Sequence, residues 1–265
     1  MPEGHTIHRY ARHHRKHLAG EPVRAWSPQG RFADGAAEID GRCLDTVDAL
    51  GKHLFYRWDG GLTVHVHLGL FGRFRTYSAE VPAPTDGTRL ALATGRATVY
   101  LAGPTACELI SPAEEEVIRD RIGPDPLDPR STPVRFKTAL RRRTSPIGAA
   151  LLDQKVVAGV GNVYRAELLF MEGMAPDRPA RSLTEEEADA LWQRIRTQLR
   201  RGERAGRIVT VDPAEMGADR DGDLRRSERL YVYHRSGEPC RRCGTEIDAV
   251  EMGGRNIWFC PTCQA

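Results

Sequence analysis

The chain has no run of about 18 apolar residues, so no segment of it is expected to cross a bilayer. Its first twenty residues have no apolar signal core. They are basic and histidine-rich, and no secretion signal is expected. The cysteines are not distributed as in a disulfide scaffold. Of the 6, Cys43 and Cys107 stand alone and four crowd together near the C-terminal end. Without a signal, that pattern reads as cytosolic metal binding. Net charge is also weak, at only +3. The near balance hides unevenness: Arg141 to Arg143 and the basic N-terminal segment are offset by acidic runs at Glu114–Glu116 and Glu185–Glu187. Such clustering allows one basic face for a polyanion, although an ordinary soluble surface can look the same. The 265 residues, 40% of them apolar, suffice for two modest domains with a core each.

What the chain does have begins at Met1-Pro2-Glu3-Gly4-His5. Methionine before a small residue is normally trimmed, which leaves Pro2 as a free secondary amine. Such an amine attacks carbon at the aldehyde oxidation level and gives a charged iminium. An α-amine titrates near pH 8 (roughly), so much of it is deprotonated at neutral pH. Glu3 is placed to handle the proton. Many chains start Met-Pro with no chemistry attached, so the rest of the sequence has to support the reading.

Gly4 to Leu18 reads as a helix, with Ile7, Ala11, His14 and Leu18 on one stripe and Gly20 as its stop. Arg9, Arg12, His13, Lys16 and His17 form the opposite side. His13 and His17 have metal-pair spacing, but no third ligand follows, and a solvated basic face is the expectation. From Val23 to Ile110 the chain is strand-like, with runs at Leu44–Leu50, His53–Trp58, Leu62–Leu68 and Thr98–Leu101. This spacing suggests a sandwich or barrel. Lys52 falls at a hairpin tip, Gly51-Lys52-His53, from which it can reach a phosphate or a proton acceptor. The plain alternative is an exposed turn lysine. In His65-Val66-His67-Leu68-Gly69-Leu70-Phe71-Gly72, Val64, Val66 and Leu68 alternate as a buried face. Leu70 and Phe71 then stand on a glycine loop, either folded back on the core or inserted into a partner such as a base stack.

Residues 123–131, rich in Gly, Pro and Asp, read as a stiff linker. Helices are expected at Ile147–Ala158, Val163–Glu172 and Leu183–Arg201, the last opened by a Thr184/Glu187 capping box. The turn Gly159-Val160-Gly161-Asn162 joins the first two, with Asn162 as N-cap and free N–H groups suited to a phosphate. Glu203 to Arg226 has no clear period and is expected to be a mobile loop. At the end, Cys240-x-x-Cys243 and Cys260-x-x-Cys263 suit a closed tetrahedral zinc site. They flank a hairpin, Thr245–Met252 and Arg255–Phe259, turned by Gly253-Gly254. Such a site has no open position, so zinc is expected to hold shape. Arg255 beside the turn can take a phosphate bidentately.

The order MPEGHT, Lys52, GVGN at 159–162, HRSGEPCRRCG and GGRNIWFCPTC resembles the DNA glycosylases of the formamidopyrimidine and endonuclease VIII family over essentially the whole chain. The Pro-Glu-Gly start resembles the endonuclease VIII branch, actinobacterial type, more than the Pro-Glu-Leu start of the other branch. The resemblance implies an α+β fold, a two-domain clamp on damaged DNA with base flipping. Its parts would be a catalytic β-sandwich with flanking helices (1–122), a linker (123–131), a helical helix–two-turn–helix domain (132–228) and a β-hairpin zinc finger (229–265). It implies Pro2 as nucleophile, Glu3 as the acid aiding sugar-ring opening and Lys52 as the hairpin lysine. Asn162 and Arg255 would hold phosphates, and Leu70 and Phe71 would enter the vacated stack. One structural Zn2+ on Cys240, Cys243, Cys260 and Cys263 is implied, in a monomeric, cytoplasmic protein with no membrane partner. Two departures stand out. His5-Thr6 replaces a second Pro-Glu, so a second carboxylate is missing. No Arg-Arg-Phe lies between residues 90 and 110, which argues against oxidised guanine opposite cytosine. Removal of oxidised pyrimidines with β,δ-elimination is therefore expected. The alternatives are a formamidopyrimidine-type purine glycosylase and a non-catalytic zinc-ribbon protein that binds nucleic acid.

Overall fold

The computed structural model describes residues 2–265, so Met1, expected to be trimmed, lies outside the described residues. The chain divides into two compact units, one ending at Arg121 and one running from Ile122 to Ala265.

In the first unit, α1 spans Gly4–Leu18, as its apolar stripe predicts, and buries Ile7, Ala11, His14 and Leu18. The strands β1 (Arg24–Trp26), β2 (Leu44–Leu50), β3 (His53–Trp58), β4 (Thr63–His67), β5 (Arg73–Tyr77), β6 (Thr88–Ala93), β7 (Thr98–Ala102) and β8 (Ala106–Ile110) form two antiparallel sheets. Their orders are β2-β3-β4-β8 and β1-β6-β7-β5. One apolar cluster joins them: Val47, Leu54, Tyr56, Val64 and Val66 from the first sheet meet Ala25, Phe74, Leu92, Val99 and Leu101 from the second. The unit is thus a sandwich whose inward faces exclude water together. Two helices fall where the sequence suggested only strands and loops. α2 (Ala33–Ile39) buries Ala36 and Ile39. α3 (Pro112–Asp120) starts at a Ser111/Glu114 capping box. The acidic run at Glu114–Glu116 therefore belongs to a helix N-terminus, where negative charge is favoured.

The second unit contains α4 (Pro133–Arg141), α5 (Ile147–Ala150), α6 (Asn162–Met171), α7 (Glu185–Ala205) and the hairpin β9 (Asp248–Glu251) with β10 (Asn256–Phe259). Ile247, Ile257, Trp258 and Cys260 of the finger share a single core with the helices. The capping box of Thr184 and Glu187 forms as expected, and α7 runs on to an αL cap at Gly206.

Three expectations need correction here. Residues 123–131, expected as a stiff linker, are packed into the second unit at their start: Gly123 to Pro126 are buried, Gly123 N donates to Gln154 O at 2.8 Å, and Ala158 N donates to Pro124 O at 3.0 Å. Prolines cannot pair in a ladder, but their carbonyls still accept, and the segment is built into the second unit. The helix expected over Ile147–Ala158 stops at Ala150. There the Asp153 carboxylate accepts from Lys155 N at 2.9 Å and outcompetes the helical pattern. The stretch 203–226 is anchored. Arg201 pairs with Asp221 and donates to the Val211 carbonyl at 2.9 Å, while Val209, Thr210, Val211 and Leu224 are buried.

Candidate active site and nucleic-acid interface

Pro2 is half-buried and precedes Glu3, which is fully buried at the N-cap of α1. The backbone of Glu3 starts the helix: its carbonyl accepts from Thr6 N at 2.9 Å and Ile7 N at 3.3 Å. Its carboxylate makes no capping bond, so the helix does not consume it. His5 is 3% exposed, and its Nε2 lies 3.0 Å from Thr6 Oγ1. Burial, helped by the positive charge of Arg9, lowers its pKa to about 4. A neutral imidazole and a hydroxyl, not a second carboxylate, therefore follow Glu3 and Gly4.

Lys52 sits in the two-residue loop between β2 and β3, where Leu50 pairs with His53. Gly51, at φ 57°, supplies the positive φ that such a tight hairpin requires. The lysine charge is felt by two imidazoles. His53 is lowered to about 3 by burial, then by His67, His65 and Lys52. His67 is lowered by burial, then by His65 and Lys52. His53 Nδ1 lies 2.9 Å from His65 Nε2, and His65 Nδ1 lies 2.9 Å from Glu108 Oε1. A hydrogen-bonded row thus runs across three strands from a carboxylate to the residue next to Lys52. The alternation His65-Val66-His67 was a sequence signal for this row, but the pairing register was needed to read it.

On the β4–β5 loop Leu70 is 50% and Phe71 82% exposed, so they do not fold back on the core. Gly69 makes the loop possible: at φ 64° a Cβ there would come within 1.9 Å of Thr105 Oγ1. β7 and β8 are joined by Gly103, Pro104 and Thr105 alone, so this connection carries no large apolar side chain.

In the second unit, the Gly159–Asn162 turn is shaped by Gln154. Its Nε2 donates to Leu152 O and Val160 O, both at 2.9 Å, and its Oε1 accepts from Gly159 N at 3.0 Å. The N-cap is Gly161 and not Asn162. Asn162 instead turns its amide to the finger and donates to Asn256 O at 3.1 Å.

Arg165, missed by sequence reasoning, is fully buried. It donates to the carbonyls of Gly148 at 3.1 Å, Met252 at 2.9 Å, Arg255 at 3.0 Å and Asn256 at 3.1 Å. It fixes the backbone of the finger turn and leaves the Arg255 side chain exposed. Gly253 and Gly254, at φ 65° and 71°, close that turn. Glu167, also fully buried, accepts from the backbone N–H of Tyr231 at 2.7 Å and of Val232 and Tyr233 at 2.8 Å, and from the Thr210 hydroxyl.

The four finger sulfurs all lie within 4.8 Å of one another, and no other such group occurs among the described residues, so His13 and His17 do not join one. Cys243 and Cys260 Sγ are 3.4 Å apart, and Cys240 and Cys263 Sγ are 3.9 Å apart. Zn–S bonds of about 2.3 Å at tetrahedral angles separate sulfurs by about 3.8 Å, so the cage fits zinc. Backbone N–H groups of Arg242 and Cys263 point at the Cys240 and Cys260 sulfurs, both at 3.4 Å. With four sulfurs in place the site is closed to substrate.

Residues 1–103 match the family model described as the formamidopyrimidine-DNA glycosylase N-terminal domain, and residues 122–212 match its H2TH domain. Residues 237–265 match the zinc finger found in FPG and IleRS. The chain is 44% identical to endonuclease 8 1 of Mycobacterium tuberculosis over 268 residues, covering all of both chains. It is 34% identical to the formamidopyrimidine-DNA glycosylase of Thermus thermophilus, covering all of this chain and 98% of that one. Among solved structures it is similar to the Lactococcus lactis enzyme in complex with DNA containing N7-benzyl-Fapy-dG, with a TM-score of 0.80, 25% identity and 99% of each chain covered. It is equally similar to that enzyme bound to DNA containing an oxidised pyrimidine, with TM-score 0.80 and 25% identity over 99% of both chains.

Proposed function

Since the chain belongs to the formamidopyrimidine-DNA glycosylase and endonuclease VIII family, and is thereby a base-excision DNA glycosylase and abasic-site lyase with a structural zinc, we propose that it removes oxidised pyrimidines through the amine of Pro2. The single observation behind the pyrimidine preference is the Gly103–Thr105 connection, which carries no large side chain in place of the Arg-Arg-Phe wedge of the formamidopyrimidine branch. The 44% identity to an endonuclease 8, against 34% to a formamidopyrimidine enzyme, points the same way.

In this reading the Pro2 nitrogen attacks C1′ of a flipped nucleotide. Glu3, buried beside it, gives a proton to the sugar ring oxygen as the ring opens, and the damaged base departs. The iminium then acidifies the C2′ hydrogens. β-Elimination breaks the 3′ phosphate bond and δ-elimination the 5′ one. Lys52 serves a phosphate or proton acceptor from its hairpin tip. His5, kept neutral by burial, adds no charge beside the amine and the Glu3 carboxyl. Asn162 and Arg255 take phosphates, which position the duplex and carry little sequence information. Leu70 and Phe71 refill the stack. Cys240, Cys243, Cys260 and Cys263 hold the zinc, which supplies shape to the Arg255 turn and takes no part in the chemistry. The protein acts as a monomer in the cytoplasm, on nucleoid DNA.

The test is borohydride trapping on a panel of duplexes bearing oxidised pyrimidines, oxidised purines or a preformed abasic site. Digestion of the trapped product should place the adduct on the peptide beginning at Pro2, and pyrimidine lesions should trap faster than purine lesions. An adduct on Lys52 or on exposed Lys155 overturns the nucleophile, and faster purine trapping overturns the preference.

A further inference from the structure

The sheet β1-β6-β7-β5 has a second face, turned away from the sandwich core. Its strands contain Arg24, Arg73, Arg75 and Arg89 and no Asp or Glu. The register shows what shares the outer face. Trp26 pairs with Ala91, Ala91 with Tyr100, and Tyr100 with Arg75. In the next row Arg24, Ala93, Thr98 and Tyr77 pair in turn. Arg73 lies two residues from Arg75 on the same face, ~7 Å along the strand.

These residues build a concave feature. Arg73, Arg75, Tyr77, Tyr100, Thr88 and Pro82 line most of a slot of about 130 Å³. The Tyr77 and Tyr100 rings stand 5.4 Å apart at 59°, and Trp26 approaches Tyr100 at 6.3 Å. Arg24 lies over Trp26 with its Cζ 5.1 Å from the ring. Tyr100 is held in place by its hydroxyl, which donates to Pro82 O at 2.9 Å. Arg73 and Arg75 are exposed and make no ion pair among the described residues. The adjoining loop carries two exposed acids, Glu80 and Asp86, and neither lines the slot.

Rings flanked by unpaired guanidinium groups are the chemistry of single-stranded nucleic acid binding, in which bases stack on aromatic side chains and cations follow the backbone. A cavity of ~150 Å³ accepts a benzene ring, so the slot has the scale of one planar base. Bases inside a duplex are stacked and cannot enter it. We propose that this outer face is an accessory site for single-stranded DNA, with one unstacked base against Tyr77 and Tyr100 and its flanking phosphates on Arg73 and Arg75. None of its residues is among those assigned to excision, its Arg73 following the Phe71 loop by two positions, and it lets the protein hold a single strand while a lesion-bearing duplex is bound.

The experiment uses the zinc-loaded full chain saturated with an unlabelled short duplex bearing a stable abasic analogue, with duplex occupancy followed separately. A fluorescent ten-nucleotide oligothymidylate is then added and its anisotropy measured. It should bind to the duplex-saturated protein, and Arg73→Glu/Arg75→Glu should weaken that binding at least about tenfold. Tyr77→Ala should weaken it severalfold and Tyr77→Phe should leave it intact, since stacking needs the ring and not the hydroxyl. Excision from a short duplex should be unchanged in all three variants, and thermal melts should show them folded. Complete displacement of the oligonucleotide by duplex overturns the site. So does an unaffected double-arginine variant, or equal competition by poly-glutamate, which would reduce the face to plain charge. If the duplex itself fails to bind, the lesion-recognition reading fails, and the arginine and tyrosine variants still decide the accessory site.

Discussion

The unit that ends at Arg121 and the unit that begins at Ile122 bury titratable side chains in opposite ways. In the first, three imidazoles are held neutral: His5 is lowered to about 4, and His14 and His53 to about 3, in each case chiefly by burial. In the second, the buried ions have nearly every polar atom engaged. Arg165 donates to four carbonyls, and Glu167 accepts three backbone N–H groups and a hydroxyl. A buried charge with a full set of partners is costly to disturb and holds backbone rigidly. A buried neutral imidazole contributes shape and leaves the local charge to Glu3, Lys52 and the Pro2 amine. The first unit is thus suited to proton chemistry and the second to gripping a polyanion at fixed points.

The largest expected effect breaks the first unit alone. Protein that retains Met1 has its Pro2 nitrogen in an amide, so excision and strand cleavage should fall roughly 10³-fold or more while duplex affinity is kept. Gel-based cleavage assays and anisotropy on the same preparation check this. Parallel loss of affinity would mean that the N-terminus is structural.

The converse break is Cys260→Ser. Elemental analysis should show less than one zinc per chain. DNA affinity should drop by about 10²-fold and the melting temperature with it, because structural zinc binding is folding free energy. Undiminished binding by zinc-free protein would refute the finger's role. A milder version is Arg255→Ala or Asn162→Ala, expected to weaken damaged and undamaged duplexes alike by about tenfold and to flatten the salt dependence. Selective loss of lesion discrimination at unchanged overall affinity would contradict the phosphate assignment.

Leu70→Ala/Phe71→Ala should slow excision from duplexes severalfold more than cleavage of preformed abasic sites or single strands, since a wedge matters only where a stack is refilled. Equal slowing on every substrate would indicate simple destabilisation.

A last comparison sharpens the contrast in protonation. The folded chain resists protonating His5, His14 and His53, whereas unfolded histidine takes up a proton near pH 6.5. Between pH 6.5 and about 4 the unfolded state therefore binds more protons. Stability should fall as pH drops through that window, by ~1.4 kcal/mol per pH unit per histidine at most. Urea midpoints measured against pH should show this slope, and His14→Gln should remove one histidine's share. A slope unchanged in that variant would show that His14 is not held neutral. His14 Nδ1 lies 2.6 Å from the Tyr56 hydroxyl, so glutamine keeps a polar atom for that contact.

Local signals in the sequence carried a good part of this architecture. α1, β2 and β3 fall at the expected residues because an apolar stripe, alternation and a Gly-Lys tip each act within a few positions. The knuckles and the Thr184/Glu187 box were legible for the same reason. Features set by distant partners were not. Asn162 reads as an N-cap until Asn256, 94 residues away, takes its amide. The helix expected through Ala158 ends early because the Asp153 and Gln154 side chains bond to backbone. The 203–226 stretch lacks a period yet is held by Arg201 and by Glu167. The histidine row needed the β3–β4–β8 register before Glu108 could be placed beside His65.

Arg165 has a thermodynamic consequence. One guanidinium is bonded at once to Gly148 at the start of α5 and to Met252, Arg255 and Asn256 in the finger turn. Zinc, acting from the knuckles, and a phosphate bound at Arg255 and Asn162 as proposed would therefore act on the same backbone. If phosphate binding tightens that turn, it must raise zinc affinity by the factor by which zinc raises phosphate affinity, because coupling between two sites is reciprocal. Bound DNA should then slow the release of zinc to a chelator, and replacing Arg165 with methionine should uncouple the two ligands even where each still binds.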